Sequence, residues 1–366
     1  MIRLLCALGD GMSQQDNYEN AAGAASSEIA SFDEHDKGIW GRFHHALHVN
    51  PALVPLIVLV AAVCLFGLWL GQKFFSPFAL TLILQQVQIV GVLAAAQTLI
   101  ILTAGIDLSV GAIAVLCSVV MGQFTFRYGV PPAIAVALGL ALGTAIGAVS
   151  GWLVSRVKLP PFIVTLGMWQ IVLATNYLYS ANETIRSQDI AADAPFLQIL
   201  GFKLKMGGAT FTLGVIVMLI LFGVLAYALR STAWGRHVYA VGDDPEAAEL
   251  AGVDVHRTLM SVYMLAGFIC ALAAWVMIGR FGSVSPSATT GVIGNIQSIT
   301  AVVIGGISLF GGRGSVAGAL FGALIVGVFE LGLRMAGADP QWTFLLIGVL
   351  IIAAVAVDQW IRKVAA

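Results

Sequence analysis

Asp107 offers more chemistry than any other side chain of this sequence. It sits in Gly105-Ile106-Asp107-Leu108-Ser109, between two long apolar runs. A charge at the centre of a lipid-facing helix costs roughly 2.5–3.5 kcal/mol, so Asp107 must lie at a helix end, in a polar cavity, or be protonated. Gly105 interrupts the helix before it, and either Asp107 or Ser109 can cap the run that begins near Val110. Three roles stand open: capping, contact with a substrate or gate, and carriage of a proton. Asp107 is taken as the single effective acid inside the membrane, with no histidine or lysine partner in any apolar run.

Amides form the next constellation. Gln85, Gln86, Gln88 and Gln97 share one run, and Gln86 and Gln97 stand about three turns apart on one helical face. A second set is Thr165, Trp169, Gln170 and Asn176, while Asn295, Gln297, Ser298 and Thr300 crowd the start of the eighth apolar run and make it the weakest of the spans. Unpaired amides facing lipid are costly. These residues therefore either line a sugar-sized aqueous path or bond to neighbouring helices. An aromatic ring beside amides suits a hydroxylated, uncharged ligand, although Trp169 can equally pack against lipid or helix. Nothing pairs a nucleophile with a base. There is no G-x-x-x-x-G-K-[ST] phosphate loop, no H-E-x-x-H, no paired C-x-x-C and no G-x-S-x-G. If ATP drives this chain, another subunit must hydrolyse it.

The elements that position these groups follow from composition. Of 366 residues, 59% are hydrophobic and 10% charged, with a mean hydropathy of +0.94. Soluble domains carry about 25% charged residues, so the chain is an integral membrane protein. A net charge of -1 argues against a nucleic-acid partner. Runs of about 20 apolar residues fall at Leu53–Leu70, Leu80–Leu102, Val110–Phe126, Ala133–Val154, Phe162–Tyr179, Phe211–Leu229, Leu259–Ile278, Ile293–Phe310, Val316–Leu333 and Trp342–Ile361. The fold class is an all-α polytopic membrane protein of about ten transmembrane helices, with both termini on one side. Placing the N-terminus inside puts 11 of the 18 Lys and Arg residues in the cytoplasm. The segment 181–210 then faces outward.

A polar stretch, Gly235 to Arg257, interrupts the apolar runs on the cytoplasmic side. Asp244 can accept a first-turn N–H, Pro245 loses nothing at the first helical position, and Glu246 meets the positive end of the helix dipole. Ala247 and Ala248 continue the helix, and Gly252 suits a left-handed termination. The stretch reads as one short, well-capped helix with little core of its own, shaped for a partner. Gly139, Gly143, Gly147 and Gly151 recur every fourth residue along one face of the fourth run, and Gly314, Gly318 and Gly322 repeat the device. Both are suited to close helix packing. Gly105–Gly111 also echoes Gly306–Gly312, which suggests distant internal repeats.

The cysteines (Cys6, Cys64, Cys117, Cys270) are isolated, and the last three read as small buried hydrophobes. Residues 1–50 read as a cytoplasmic, disordered tail in which Met12 is as good a start as Met1. His44, His45 and His48 fit a solvated face before the first span better than a metal site. Residues 51–363 form the transmembrane domain.

Taken in order, AGIDLSVG (104–111), KLPPFIVTLG (158–167), GRHVYAVGDDPEAAELAGV (235–253) and AVVIGGISLFGGRGSVAGALFGALI (301–325) resemble the membrane permease subunit of sugar importers of the ATP-binding cassette type. The ribose, xylose and fructose permeases make up this group. NPALVPLIVLV, ANETIRSQDI and GADPQW make the chain most similar to the fructose permeases. The resemblance implies a type II importer fold in the inner membrane. Two permease copies would work with two ATPase subunits, which bind ATP and Mg, and an external or periplasmic sugar-binding protein would deliver the sugar. No cofactor is expected in the chain itself. The resemblance also makes 231–257 a coupling loop, with Asp244, Pro245, Glu246, Ala247, Ala248 and Gly252 as the ATPase-coupling surface. It assigns no sugar contacts. Gln86, Gln97, Asp107, Thr165, Trp169, Gln170, Asn295 and Gln297 stand as substrate-path candidates on residue chemistry. A proton-coupled secondary sugar transporter using Asp107 and an intramembrane glycosyl transferase are the rival readings.

Overall fold

A computed structural model describes residues 52–365. Expectations about the tail, Met12, Cys6 and the three histidines lie outside these residues. Helices α1 (Leu53–Leu70), α2 (Pro77–Leu102), α3 (Val110–Tyr128), α4 (Pro132–Ser155) and α5 (Pro161–Ser180) follow one another with short connections. Then come α6 (Ser187–Asp193), a 3-10 turn (Pro195–Gly201), the hairpin β1 (Lys203–Met206) and β2 (Ala209–Thr212), and α7 (Leu213–Ser231). Two short helices, α8 (Ala233–Asp243) and α9 (Pro245–Leu250), precede α10 (Val255–Phe281), α11 (Ala288–Ile304), α12 (Val316–Met335) and α13 (Pro340–Ala365). Among the described residues, eight helices are long and apolar enough to cross a membrane. The 17-residue α11 and the 341–356 part of α13 are shorter apolar helices.

Local chemistry sets these boundaries. The Ser76 hydroxyl accepts the Ala79 N–H at 3.1 Å with Pro77 at the first helical position, so α2 begins three residues before its apolar run. Two expected spans move. Phe211 and Thr212 lie in β2, so the sixth span starts at Leu213. The eighth occupies Ala288–Ile304 rather than Ile293–Phe310, because Ser287 accepts the Thr290 N–H and starts the helix earlier. Beyond Ile304, Gly306 turns left-handed and residues 305–315 form a loop.

Helices α2 and α3 form the centre. Every residue from Val90 to Thr103 and from Ser109 to Gln123 is buried, the mark of a helix surrounded by others. The long α10 lies against α2, α3 and α4, while α12 lies against α1, α2 and α11. Outer helices keep apolar faces exposed, including Leu68, Leu178 and Ile220. Cys64 is exposed on such a face, contrary to expectation, whereas Cys117 and Cys270 are buried.

The four glycines of α4 are buried. A Cβ on Gly143 would overlap the Gly267 carbonyl, and one on Gly147 the Tyr263 carbonyl, so α4 and α10 meet backbone to backbone. Gly147→Val is therefore expected to cost about 1–3 kcal/mol by overpacking. Its readout is a lowered thermal midpoint in detergent, and an unchanged midpoint would mean that the two helices do not approach so closely.

The segment 181–212 is ordered along much of its length. Ile190 and Leu197 are fully buried, Ile185 pairs with Val284, and Gln198 donates to the Gly282 carbonyl at 2.7 Å. The hairpin turns at Gly207-Gly208, both at positive φ, and docks on α2 through Thr210 N–H to Thr81 Oγ1 (2.8 Å). This segment therefore covers the ends of α2 and α10 on the side opposite α8 and α9.

Candidate functional site

The polar stretch folds as two helices where one was expected. α8 is amphipathic, with Gly235, Val238, Val241 and Gly242 buried, so the stretch shares the core it was thought to lack. The Trp234 indole N–H donates to Ser261 Oγ at 2.7 Å, and the Tyr239 hydroxyl donates to the Gly314 carbonyl at 3.0 Å. Burial pushes the Tyr239 phenol above its ordinary pKa. Next, Asp244 Oδ1 accepts the N–H groups of Glu246 (2.9 Å) and Ala247 (3.0 Å), and Pro245 opens α9. At the far end Gly252 takes φ 86°, while the Val253 N–H reaches back to the Ala248 carbonyl at 3.0 Å.

One face of α9 is anchored and the other is free. Ala248 is buried, whereas Pro245, Glu246, Ala247 and Glu249 are exposed and Leu250 is 90% exposed. Leu250 escaped notice in the sequence because a leucine at the end of a helix usually reads as an anchor. Its exposure on a polar loop is a property of the fold alone.

The base of α8 rests on the turn that leads to Asp107. The Gly242 backbone packs against the Leu102 carbonyl so closely that a Cβ there would overlap it, and the same carbonyl accepts the Gly312 N–H at 3.0 Å. The α2–α3 turn and the α11–α12 loop thus meet beneath α8. Both preceding helices end in a left-handed turn, but one residue out of the register of the sequence echo, and Gly111 is helical where Gly312 lies in a loop. Ala104 and Gly306 are the left-handed positions, and Gly105 N–H to Ile100 O matches Ile307 N–H to Val302 O.

From Gly105 to Ser109 the chain is not helical, yet it folds back along the bundle. Gln97, five residues before the end of α2 and ~7.5 Å along its axis, donates to the Asp107 carbonyl at 3.1 Å. Thr165 on α5 donates to the Ile106 carbonyl at 3.0 Å, and Asn295, near the middle of α11, donates to the Leu108 carbonyl at 2.9 Å. Three successive carbonyls are thus satisfied by side chains from three spans. Non-helical backbone at membrane depth survives only where such partners exist. Asp107 is buried, and its Oδ1 accepts both the N–H and the hydroxyl of Ser109 at 2.6 Å. These bonds stop at the residue before α3, which starts without a side-chain cap from either Asp107 or Ser109, contrary to expectation.

The remaining path candidates scatter. Trp169 and Asn176 line a cavity of about 10 Å³ with Ala112, Val115, Leu173, Ala288 and Gly291, room for about one water. Asn176 Nδ2 donates to the Pro286 carbonyl at 3.0 Å. Gln170 is exposed on the outer face of α5, away from Thr165. Gln88 joins the hairpin by accepting from Thr212 Oγ1 at 2.6 Å. Gln86 and Gln297 converge on Glu330, each donating its amide to Oε2, at 3.0 and 3.1 Å. Glu330 corrects the expectation that Asp107 is the only effective acid among the spans. Glu330 stands near the end of an otherwise apolar helix, one turn before Arg334, and only the partners brought by α2 and α11 reveal its importance.

Comparisons with known proteins agree with this architecture. Residues 79–355 match the family described as branched-chain amino acid transport system / permease component. The chain is 67% identical to the fructose import permease of Rhizobium meliloti, over 95% of this chain and 96% of that protein. It is 35% identical to the ribose import permease of Bacillus subtilis, over 85% and 94%, and 30% identical to the xylose transport system permease of Escherichia coli, over 88% and 95%. No solved structure matches.

Proposed function

We propose a function from one premise: the chain belongs to the branched-chain amino acid transport system / permease component family. Within that family it is the membrane permease of a monosaccharide importer, and fructose is the sugar, as the 67% identical relative's name indicates. The chain is a multi-pass membrane protein whose relatives are transport permeases rather than enzymes. ATP and Mg act on a separate ATP-binding cassette subunit, and a periplasmic sugar-binding protein delivers the sugar. The working unit holds two permease copies among membrane lipids, with both termini in the cytoplasm.

One observation carries the coupling role: α9 holds its fold through Asp244 and Ala248 and leaves Glu246, Ala247 and Leu250 outward. A free leucine and a carboxylate on a rigid, capped helix suit a cleft on the ATPase. Movement of α9 passes through α8 to the Leu102 carbonyl and on to residues 106–108. Gln97, Thr165 and Asn295 then convey it to α2, α5 and α11, re-orienting the spans as a rigid-body switch. Among the described residues, Gln97 Oε1, Thr98 Oγ1 and Asn295 Oδ1 are buried without protein partners, and these acceptors support a hydroxylated solute passing nearby. The candidates Gln97, Thr165 and Asn295 thereby become holders of residues 106–108 first and path residues second.

Glu246→Lys tests the docking. Co-purified ATPase should fall about tenfold, as for the loss of a charged interfacial contact, and unchanged association and uptake would refute the role. Asp107→Asn separates this reading from proton coupling. Asparagine still accepts the Ser109 N–H, so ATP-driven uptake should stay within about threefold of the parent. Near-complete loss, with collapse of parental uptake on dissipating the proton gradient, would favour the rival.

A further inference from the structure

Glu330 lies near the end of α12 on the side opposite α9, inside the bundle and yet not sealed off, with its side chain 15% exposed. Its Oε1 accepts from Arg334 Nη2 at 2.8 Å, and its Oε2 from Gln86 and Gln297. Arg334 is 69% exposed at the helix end, so the group runs inward from the surface: arginine, carboxylate, two amides. Arg280, at the end of α10, adds a second guanidinium. Its Nε donates to the Gln85 carbonyl at 3.3 Å, and Arg334 is its charged neighbour.

Helix pinning needs only one ion pair. Here two glutamines from different spans both turn their N–H₂ groups to one carboxylate oxygen, and among the described residues neither Oε1 has a protein partner. The cluster therefore offers amide and carboxylate oxygens as acceptors beside guanidinium donors. Vicinal sugar hydroxyls, each both donor and acceptor, use that mixture, whereas an anion or an apolar ligand does not. Ionisable groups within spans tend to mark solute pathways. Resting on the permease reading above, we propose that Glu330, held by Gln86 and Gln297 and flanked by Arg334 and Arg280, is a hydroxyl-recognition station on the outer part of the sugar path. It contributes to sugar choice inside the permease, after release from the binding protein.

The test pairs protein and ligand changes in the complete complex, reconstituted with its ATPase and binding protein. Uptake of fructose is compared with that of its singly deoxygenated analogues, each at a concentration that saturates the binding protein. In the parent, removal of the hydroxyl that meets Glu330 should lower uptake about tenfold, as for a hydrogen bond to a charged group. In Glu330→Gln that penalty should shrink to about twofold or less, with ATP hydrolysis still stimulated by the loaded binding protein. Equal penalties in parent and variant for every analogue would overturn the proposal, because a merely structural Glu330 slows all analogues alike. Should Glu330→Gln fail to assemble, Arg334→Gln serves at the exposed end of the cluster, with the same two outcomes. A parent complex without ATP-driven uptake would remove the permease reading itself, whereas unchanged penalties in an active parent remove only the station.

Discussion

Leu250→Asp is expected to reduce ATP-driven sugar uptake by about a hundredfold while leaving the permease folded. Leu250 is 90% exposed, so the permease alone loses almost no packing from the change. Full burial of a leucine is worth about 1.5–3 kcal/mol, and truncating a central interface residue commonly costs 2 kcal/mol or more. Placing an unpaired carboxylate in the same pocket adds a desolvation penalty. Together these exceed the ~2.7 kcal/mol that a hundredfold loss of affinity requires. The checks are co-purification of the ATPase and initial rates in proteoliposomes, with the permease's own thermal midpoint as control. Full uptake in Leu250→Asp would place the ATPase contact elsewhere on the permease.

The other large effect concerns residues 106–108. Thr165→Val removes one hydroxyl at nearly constant shape and orphans the Ile106 carbonyl, and Asn295→Leu does the same for the Leu108 carbonyl. A fully buried carbonyl left without a donor costs about 1–3 kcal/mol, and these two part-buried ones cost at most that. The double variant is expected to hold its ATPase and hydrolyse ATP while uptake falls more than tenfold, so that ATP consumed per sugar rises. Thr165→Ser keeps the hydroxyl and should retain coupling. If the double variant keeps the parental ratio of ATP to sugar, residues 106–108 do not transmit motion, however much stability is lost.

Much of this fold is legible in the chain because lipid leaves few options. Runs of apolar residues long enough to span must be helices, and only their ends needed the structure. Ser76-Pro77 and Ser287 set two of those ends by capping, which apolar counting overlooks. Phe211 misled because an apolar residue entering a span and one closing a hairpin look alike locally. The caps of α9 were also readable, since Asp244, Pro245 and Gly252 act through their own backbone neighbourhood. Long-range partnerships were not readable. Gln97, Thr165 and Asn295 are far apart in sequence, and only folding brings them to three consecutive carbonyls. Glu330 was passed over for the same reason, since its partners Gln86 and Gln297 come from two other helices. Ala248 shows the limit of a motif, which marks a surface without telling which of its residues face inward.

The central claim, that this permease is driven by ATP through α9, is tested most directly by fructose uptake into proteoliposomes holding the purified complex and no ion gradient. An ATP-coupled permease predicts accumulation that requires luminal ATP, the ATPase and the sugar-binding protein together, and that persists when a protonophore is present. Uptake by the chain alone along an imposed proton gradient, with no dependence on ATP or the ATPase, would contradict it.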